Sequence, residues 1–261
     1  MRELTLYQID AFTDRRFGGN PAGVCPLESW LPDRILQAIA AENNVAETAF
    51  FIPDGEGFKL RWFTPTVEVD LCGHATLATG FVIAEFLEPG RKAMRFSTRS
   101  GALGVSRDGD SFVLDFPARL PKPVAPAPDM TKALGAQPKQ VLATLQWLAV
   151  FEREADVRNL KPNDAAIVAL GRDGIIATAP GKDRDYVCRY FVPQAGIPED
   201  PATGMAQCSL LPYWAERLGR TKLTGRQISQ RVGEFRCELK GDRVRIAGNA
   251  VCYLKGSIFV D

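Results

Sequence analysis

The residues of this chain best suited to proton transfer are His74 and Glu47. His74 is the only histidine among the 261 residues, and histidine is the one side chain whose ordinary pKa lies near neutral pH. Glu47 lies between apolar neighbours in a predicted strand, where a carboxylate is costly to bury unless it is paired or protonated. The two residues indicate acid/base chemistry, while a core histidine and a solvent-facing glutamate remain open as alternatives.

An anion-binding site is predicted next to His74. Gly73 precedes it at the expected start of a helix, and glycine lets a ligand approach the backbone closely. The free N–H groups of the first helical turn and the positive end of the helix dipole then suit a bound carboxylate. Asn20 lies in a loop rich in turn-forming residues, where its amide could face a ligand or form the turn.

The elements that must position these residues can be read from the pattern of apolar residues. Residues 75–87 contain only two threonines and one glutamate as polar side chains, so a helix there is apolar on nearly every face and should be buried. A second helix is predicted to begin near Asp33 and to stop at Asn43 and Asn44. Residues 4–11 and 46–52 are predicted strands, and the second of these carries Glu47.

The charge balance argues against a nucleic-acid partner. Lys and Arg (32) against Asp and Glu (31) leave a net charge of +1, and no basic run exceeds two residues. There is no run of 18 apolar residues, and the first residues are typical of a strand rather than of a signal peptide. We therefore expect a cytoplasmic protein with no nucleic-acid or membrane partner, and the predicted anion site at Gly73 indicates a small anionic metabolite as its ligand.

The cysteines are not spaced as metal ligands. None of the six forms a Cys-x-x-Cys pair, and one histidine cannot complete the usual zinc spacings. The sequence therefore predicts reduced thiols and no metal site.

Two later segments repeat two earlier ones. Residues 96–114 align without a gap with residues 228–246, and share serine, arginine, two glycines and aspartate. Residues 61–65 recur 128 positions later, at 189–193. Each of these shorter copies is followed by an aspartate and by an apolar run that opens at a glycine, Gly73 in the first and Gly204 in the second. Segments repeated in the same order indicate a duplicated chain.

The duplication predicts two halves joined by a linker. Residues 1–117 form the first half, which the last strand, 251–261, could rejoin, and residues 130–250 form the second. The proline-rich residues 118–129 are a predicted linker. Two halves that face each other would place both helix starts at one cleft. Pro212, inside the second helix pattern, predicts a kink or a break.

Five motifs, in order along the chain, resemble those of the PhzF-like family, which is named for a phenazine-biosynthesis isomerase. They are Gly-Asn-Pro at 19–21, Ala-Glu-Thr-Ala-Phe at 46–50, Arg-Trp-Phe-Thr-Pro at 61–65, Asp-Leu-Cys-Gly-His-Ala-Thr at 70–76 and Glu-Asp-Pro-Ala-Thr-Gly at 199–204. The resemblance implies an α/β (α+β) diaminopimelate-epimerase fold with two pseudo-symmetric halves, each a curled, mostly antiparallel sheet around a central helix. It also implies a homodimeric isomerase that needs no metal or organic cofactor.

The resemblance also implies roles for individual residues. Glu47 would be the proton shuttle, His74 a ligand and member of the proton network, and Asp200 the group that fixes the polar end of the substrate. The implied substrate-binding residues are Asn20, Gly73, Thr203, Gly204 and Met205. Among these, the two glycines would offer backbone N–H groups to the substrate carboxylate.

The chain departs from the family pattern after Gly204. Met205 stands where the isomerase and many relatives have serine, and Gln207 where many have histidine. Methionine neither donates a hydrogen bond nor titrates. This side of the pocket should therefore be more apolar, which argues against the phenazine precursor itself as the substrate.

Two other functions stay open. An epimerase or dehydratase of the same fold would use thiols at both helix starts. Cys72 occupies the first such position, but Thr203 occupies the second and Cys208 lies a full turn inside the helix. This argues against a symmetric two-thiol mechanism and leaves a one-thiol dehydratase open. The third reading is a binding protein that has lost catalysis, which Met205 and Gln207 make plausible.

Overall fold

The structure, a computed structural model, describes residues 1–125 and 127–261. Pro126, one of the prolines in the predicted linker, lies outside the described residues. Helices and strands alternate along the chain and confirm the predicted α/β fold class. Throughout these two ranges, each helix is too short or too polar to cross a membrane.

The elements are numbered in chain order. The α-helices are α1 (Asp33–Asn43), α2 (Gly73–Val82), α3 (Thr131–Leu134), α4 (Glu154–Arg158), α5 (Asp164–Ala169) and α6 (Gly204–Leu218), with a π-helical turn at Ile83–Leu87 and a 3₁₀ turn at Pro193–Ala195. The strands are β1 (Arg2–Ala11), β2 (Asn20–Pro26), β3 (Glu47–Asp54), β4 (Gly57–Phe63), β5 (Glu68–Val69), β6 (Ala93–Thr98), β7 (Gly101–Asp108), β8 (Ser111–Pro117), β9 (Lys122–Pro123), β10 (Gln140–Ala143), β11 (Trp147–Val150), β12 (Ile175–Pro180), β13 (Tyr186–Phe191), β14 (Glu199–Asp200), β15 (Lys222–Gln227), β16 (Gly233–Lys240), β17 (Arg243–Gly248) and β18 (Ala250–Val260).

The chain divides into two compact units. Unit 1 comprises Met1–Asp115 together with Ala247–Asp261, and unit 2 comprises Phe116–Ile246. The C-terminal strand β18 pairs antiparallel with β1 along nearly its whole length. The last strand of the chain therefore lies beside the first.

Helix α2 is the buried centre of unit 1. Its polar side chains do not prevent this, because the Thr79 hydroxyl donates to the carbonyl of Ala75 at 2.7 Å and Thr76 bonds in the same way one turn back. The helix packs against β1, β2, β3 and β7. At Gly80 a side-chain carbon would lie 2.6 Å from Val105, so glycine permits the close approach to β7.

A second helix, α1, covers a separate apolar cluster in unit 1. Leu36 and Ile39 on α1 are buried against Phe50 of β3 and Phe63 of β4. Helix α1 ends as predicted, because Asn44 adopts the left-handed conformation and its N–H bonds to the carbonyl of Ala40. Unit 1 thus has helices α1 and α2 packed against a mixed sheet.

Unit 2 is built around α6 in the same manner. This helix is buried from Gly204 to Ala215 except at Met205, and it packs against β15 and β16. Helices α3, α4 and α5 pack in a separate hydrophobic cluster that includes Leu134, Val157 and Ile167. Because few residues of α6 are exposed, contacts with the rest of unit 2 fix the position of its N-terminus.

The strand pairings of the two units follow the same order. In unit 1, β1–β2 is antiparallel, β2–β3 parallel, β3–β4 and β4–β5 antiparallel, β4–β6 parallel and β6–β7 antiparallel. In unit 2, the pairs β10–β11, β11–β12, β12–β13, β13–β14, β13–β15 and β15–β16 repeat these directions one for one. Helix α2 follows β5, and α6 follows β14. The repeat in the sequence is therefore a repeat of topology.

An arginine–glutamate pair precedes each central helix. The Arg61 guanidinium donates to both carboxylate oxygens of Glu68, at 2.7 and 2.8 Å. Arg189 donates to both oxygens of Glu199, at 2.9 and 2.7 Å. Each pair is mostly buried and ties a two-residue strand to its neighbour just before the helix begins. A bidentate pair fixes orientation as well as distance, so it sets the path by which the chain enters each helix.

Pro212 does not break α6, which runs without interruption from Gly204 to Leu218; of the predicted kink or break, the break is wrong and the kink stays a prediction. Proline has no N–H, so the carbonyl of Cys208, four residues earlier, lacks its helical partner. The backbone N–H of Arg119 donates to this carbonyl instead, at 2.9 Å. A segment outside the helix thus supplies the missing hydrogen bond.

The described residues of the segment predicted as a linker belong to unit 2, and further hydrogen bonds hold them there. The N–H of Ala118 donates to the carbonyl of Asp242 at 2.8 Å. Lys122 and Pro123 form β9, which pairs with β10. Proline is tolerated at the border of a sheet because no partner there requires its missing N–H. The proline-rich segment therefore begins as extended chain hydrogen-bonded to unit 2.

Candidate active site

The start of α2 and the start of β3 bring Glu47 and His74 together in unit 1. Nε2 of His74 lies 3.2 Å from Oε2 of Glu47, with the two side chains 6% and 20% exposed. The distance is that of a hydrogen bond, but Nε2 lacks the alignment of one. Catalytic hydrogen bonds are often misaligned without substrate and tighten when it binds. Glu47 therefore has a buried partner and still reaches the surface of the unit.

The other ring nitrogen of His74 faces two further polar groups. Nδ1 lies 3.2 Å from Nδ2 of Asn20 and 3.4 Å from Sγ of Cys72. An amide NH₂ can only donate, so with Asn20 in this orientation Nδ1 accepts and the ring proton lies on Nε2. The imidazole N–H is then directed to the side of the Glu47 carboxylate.

Burial keeps His74 neutral. Burial lowers the pKa of His74 to about 3, and the nearby backbone of Pro21 offsets only part of this effect. Desolvation disfavours the charged imidazolium, so at neutral pH the ring is a hydrogen-bond donor and acceptor rather than a cation. In this pair the carboxylate of Glu47 is consequently the group suited to accept a proton from carbon.

Glu47, Cys72 and His74 offer ligand atoms that all lie within 4.8 Å of one another. A single metal ion would have to bind one nitrogen of His74 together with Glu47 and Cys72. Here the shortest contacts use different ring nitrogens, Nε2 with Glu47 at 3.2 Å and Nδ1 with Cys72 at 3.4 Å. The donor set fits a proton network better than a metal centre, and the absence of a metal stays a prediction.

Replacing Cys72 by alanine is expected to leave catalytic proton exchange within about tenfold of the parent, less than the 10² to 10⁴ expected of an acid/base residue. The reason is that the thiol has no counterpart to share the work: Cys72 is the N-cap of α2, 3.4 Å from Nδ1 of His74, and the N-cap of α6 is Thr203. The check is the rate of deuterium incorporation into substrate carbon. Cys72→Ser, which keeps a donor for Nδ1, is the matched control. A near-complete loss in both variants would support the one-thiol dehydratase instead.

In unit 2, the start of α6 carries the remaining predicted site residues. Gly204 is the first helical residue and Thr203 precedes it as N-cap, with its hydroxyl donating to Oδ2 of Asp200. Asp200 is half-buried at the end of β14, and Met205 is half-buried in the first turn. The structure thus groups Asp200 and Thr203 closely, directly before the first N–H groups of the helix.

A buried glutamine that sequence reasoning missed organises this helix start. Oε1 of Gln227, at the end of β15, accepts from the backbone N–H of Thr203 at 2.9 Å, and its Nε2 donates to the carbonyl of Asp200. Gln227 is fully buried. In the sequence, the only sign of its role is its position directly before the second repeated segment. The neighbouring residues do not indicate which backbone groups its side chain will contact.

Gln207, noted only as a departure from the family pattern, is also structural. Its Nε2 donates to the carbonyl of Thr203 at 3.2 Å, and its Oε1 accepts from the hydroxyl of Tyr186 at 2.6 Å. Burial raises the pKa of Tyr186 well above its ordinary value, so the phenol remains a donor. Gln207 therefore braces the first turn of α6 from inside the unit.

The two units are not chemically equivalent at these positions. Arg61 pairs with Phe50 of β3, three residues after Glu47. Its counterpart Arg189 pairs with Ala177 of β12, three residues after Gly174. The topological counterpart of Glu47 is thus a glycine without a side chain. A second acid/base group related by the duplication is therefore missing at this position.

The same holds for the histidine. His74 is the second residue of α2, and the second residue of α6 is Met205. The acid/base pair is confined to unit 1, while Asp200 belongs to unit 2. That both helix starts face one cleft stays a prediction.

Comparisons with known proteins agree with the motifs. The family model described as phenazine biosynthesis-like protein matches residues 9–256. An uncharacterized isomerase of Pseudomonas aeruginosa is 48% identical over 256 residues, which cover 98% of this chain and 99% of the relative.

Solved structures extend the comparison. The crystal structure of a PhzF-family phenazine biosynthesis protein from Enterococcus faecalis is 40% identical, with a TM-score of 0.97 over 99% of this chain and 100% of that chain. A hydroxyproline epimerase from Agrobacterium vitis is 12% identical, with a TM-score of 0.60 over 98% of this chain and 92% of that one. The second likeness is one of fold alone.

Proposed function

Because the chain belongs to the phenazine biosynthesis-like (PhzC-PhzF) family, we propose that it is a cofactor-independent isomerase that moves a proton on a small carboxylate-bearing substrate. Relatives named as isomerases support the reaction class. The substrate would lose a proton from one carbon and regain it at another, either beside its carboxylate or along a conjugated diene. No electrons leave the substrate, so the reaction needs no redox partner.

The contact of Glu47 with a buried, neutral His74 is the observation that carries this proposal. Oε2 lies 3.2 Å from Nε2. In the proposed mechanism the ionised carboxylate removes the proton from carbon and, as the acid, returns it at the second position. The N–H on Nε2 holds the carboxylate while it is ionised. Because His74 stays neutral, it does not compete for the proton that is moved.

The charge that develops on the substrate must be stabilised elsewhere. The proposal assigns this to backbone N–H groups at Gly73 and Gly204, which begin helices whose dipoles favour an anion. Asp200, held by Thr203, would fix the polar end of the substrate. Met205 would line the pocket with an apolar side chain, which favours a substrate other than the phenazine precursor.

The asymmetry of the two units supports a single shuttle over two opposed bases. An epimerase with an acid and a base on opposite faces needs two titratable groups, and the counterparts of Glu47 and His74 are Gly174 and Met205. A single carboxylate that takes a proton, exchanges it with solvent and returns one on the same face requires only Glu47.

Deuterium exchange tests the proposal. The protein is incubated in D₂O with a panel of unsaturated carboxylic acids, among them cyclic acids with a β,γ double bond. Carbon-bound deuterium is followed by NMR and mass spectrometry. Exchange or isomerisation of at least one member, above the rate without protein, is expected. Saturable binding of the same acids without any exchange would replace the isomerase by the binding protein that the methionine and glutamine at positions 205 and 207 allow.

A further inference from the structure

The start of the linker fixes an arginine against α6 in unit 2. Two backbone hydrogen bonds hold it: Ala118 N–H to the carbonyl of Asp242 at 2.8 Å, and Arg119 N–H to the carbonyl of Cys208 at 2.9 Å. The second bond exists because Pro212 leaves that carbonyl without its helical donor. The backbone of Arg119 is thus fixed beside α6, at the level of Cys208, one turn after the helix begins at Gly204.

The guanidinium of Arg119 has a hydrogen-bond donor that is not used within the described residues. Its Nη1 is buried and has no hydrogen-bond partner in residues 1–125 and 127–261. Within the same ranges, Arg119 is found in no ion pair. Arginine does not lose its proton in proteins, and burial of a charged group without a partner is unfavourable. The structure therefore contains a partly buried cation that an anion would stabilise.

Two ionisable groups beside Arg119, Cys208 and Tyr190, do not supply that anion. Burial raises the pKa of the Cys208 thiol to about 12, and Arg119 lowers it only in part. Burial also raises the pKa of Tyr190, the carboxylates of Asp200 and Asp173 raise it further, and Arg119 has a smaller opposing effect. Both groups are therefore uncharged at neutral pH. Tyr190 pairs across the sheet with Asp200, which relates this cation to the predicted substrate-fixing residue.

We propose that Arg119 is a carboxylate-binding residue of unit 2 that selects anionic over neutral ligands. The backbone of Arg119 is fixed by a hydrogen bond, and one N–H of its guanidinium lacks an acceptor. Such a group is preorganised to bind a carboxylate. That the bound carboxylate is the substrate's rests on the proposed function. In that case Arg119 would hold the substrate carboxylate. Carboxylate binding by Arg119 does not itself require that catalysis occurs.

Matched pairs of small ligands test this claim by calorimetry. The probes are benzoate with benzamide and acetate with acetamide, which differ in charge but little in size. Wild type, Arg119→Gln, Arg119→Lys and the control Arg34→Gln are compared, because Arg34 is an exposed arginine of α1 in unit 1. Thermal unfolding of each variant shows whether it is folded. Glu47→Gln is measured beside them, because it should lose exchange but keep carboxylate binding.

The wild type should bind at least one carboxylate more tightly than its amide. Arg119→Gln should weaken carboxylate binding about 10- to 100-fold and leave amide binding within about twofold, as expected for loss of a charge-assisted hydrogen bond. Arg119→Lys should fall between, and Arg34→Gln should match the wild type.

Equal carboxylate affinity in wild type and Arg119→Gln would overturn the inference. The same conclusion would follow if wild type showed no saturable carboxylate binding up to about 50 mM, a range that reveals even millimolar sites. A preserved Arg119 effect in a protein without exchange would instead remove the isomerase proposal and leave this one standing.

Discussion

Replacing Glu47 by glutamine is expected to lower carbon-bound deuterium exchange by about 10² to 10⁴, because the variant has no group that can take up and return the proton. Glutamine keeps the size of the side chain and can still accept from Nε2 of His74, which lies 3.2 Å from the parental carboxylate. Ligand binding should therefore persist while exchange is lost. Single-turnover exchange and ligand affinity, measured on the same samples, separate these two effects.

The control for this variant is Glu42→Gln. Glu42 is an exposed residue of α1 in the same unit, so its replacement removes the same charge away from His74. It should exchange at the parental rate. Parental exchange in Glu47→Gln would show that another group moves the proton, and the mechanism proposed here would be wrong.

His74 is expected to remain neutral over the whole range in which the protein functions. Its pKa is lowered to about 3 by burial, against an ordinary value of about 6.5 in the unfolded chain. Between these values the unfolded chain binds a proton that the folded protein does not. Stability therefore falls as pH decreases from about 6.5 towards 3, by about 1.4 kcal/mol for each pH unit well inside that window.

The single histidine makes this prediction easy to measure. In a protein without a histidine tag, the imidazole Cε1–H signal belongs to His74 alone, and its chemical shift should not titrate between pH 8 and about 5. Urea unfolding of wild type and His74→Gln should differ in slope with pH between about 6.5 and 5, with the variant less sensitive. A midpoint near 6.5 in the folded protein would contradict the neutral histidine, and with it the division of roles between His74 and Glu47.

The duplication could be predicted because its evidence is local. The two segments at 61–65 and 189–193 each contain an arginine whose structural partner lies a few residues later on the next short strand, Glu68 in one and Glu199 in the other. Contacts of this range depend on a hairpin rather than on the whole fold. The glycine-opened helices at Gly73 and Gly204 were predictable for the same reason, since a buried helix must be apolar on nearly every face.

The contacts between distant segments required the tertiary structure. The parallel pairing of β2 with β3 places Asn20 and Glu47 near the start of α2, so that His74 meets both. No local pattern specifies that register. The low pKa of His74 also depends on burial, which many segments produce together.

Pro212 shows the division most clearly. From sequence, a proline in a helix predicts a kink or a break, because it removes a hydrogen bond that the helix cannot replace from its own residues. In the structure the linker replaces it, through the N–H of Arg119. The sequence by itself determined the duplicated topology, the buried central helices and the types of residue at the candidate site. Only the tertiary structure decided which groups meet there, because a hydrogen bond between segments depends on where the whole fold places its donor and acceptor.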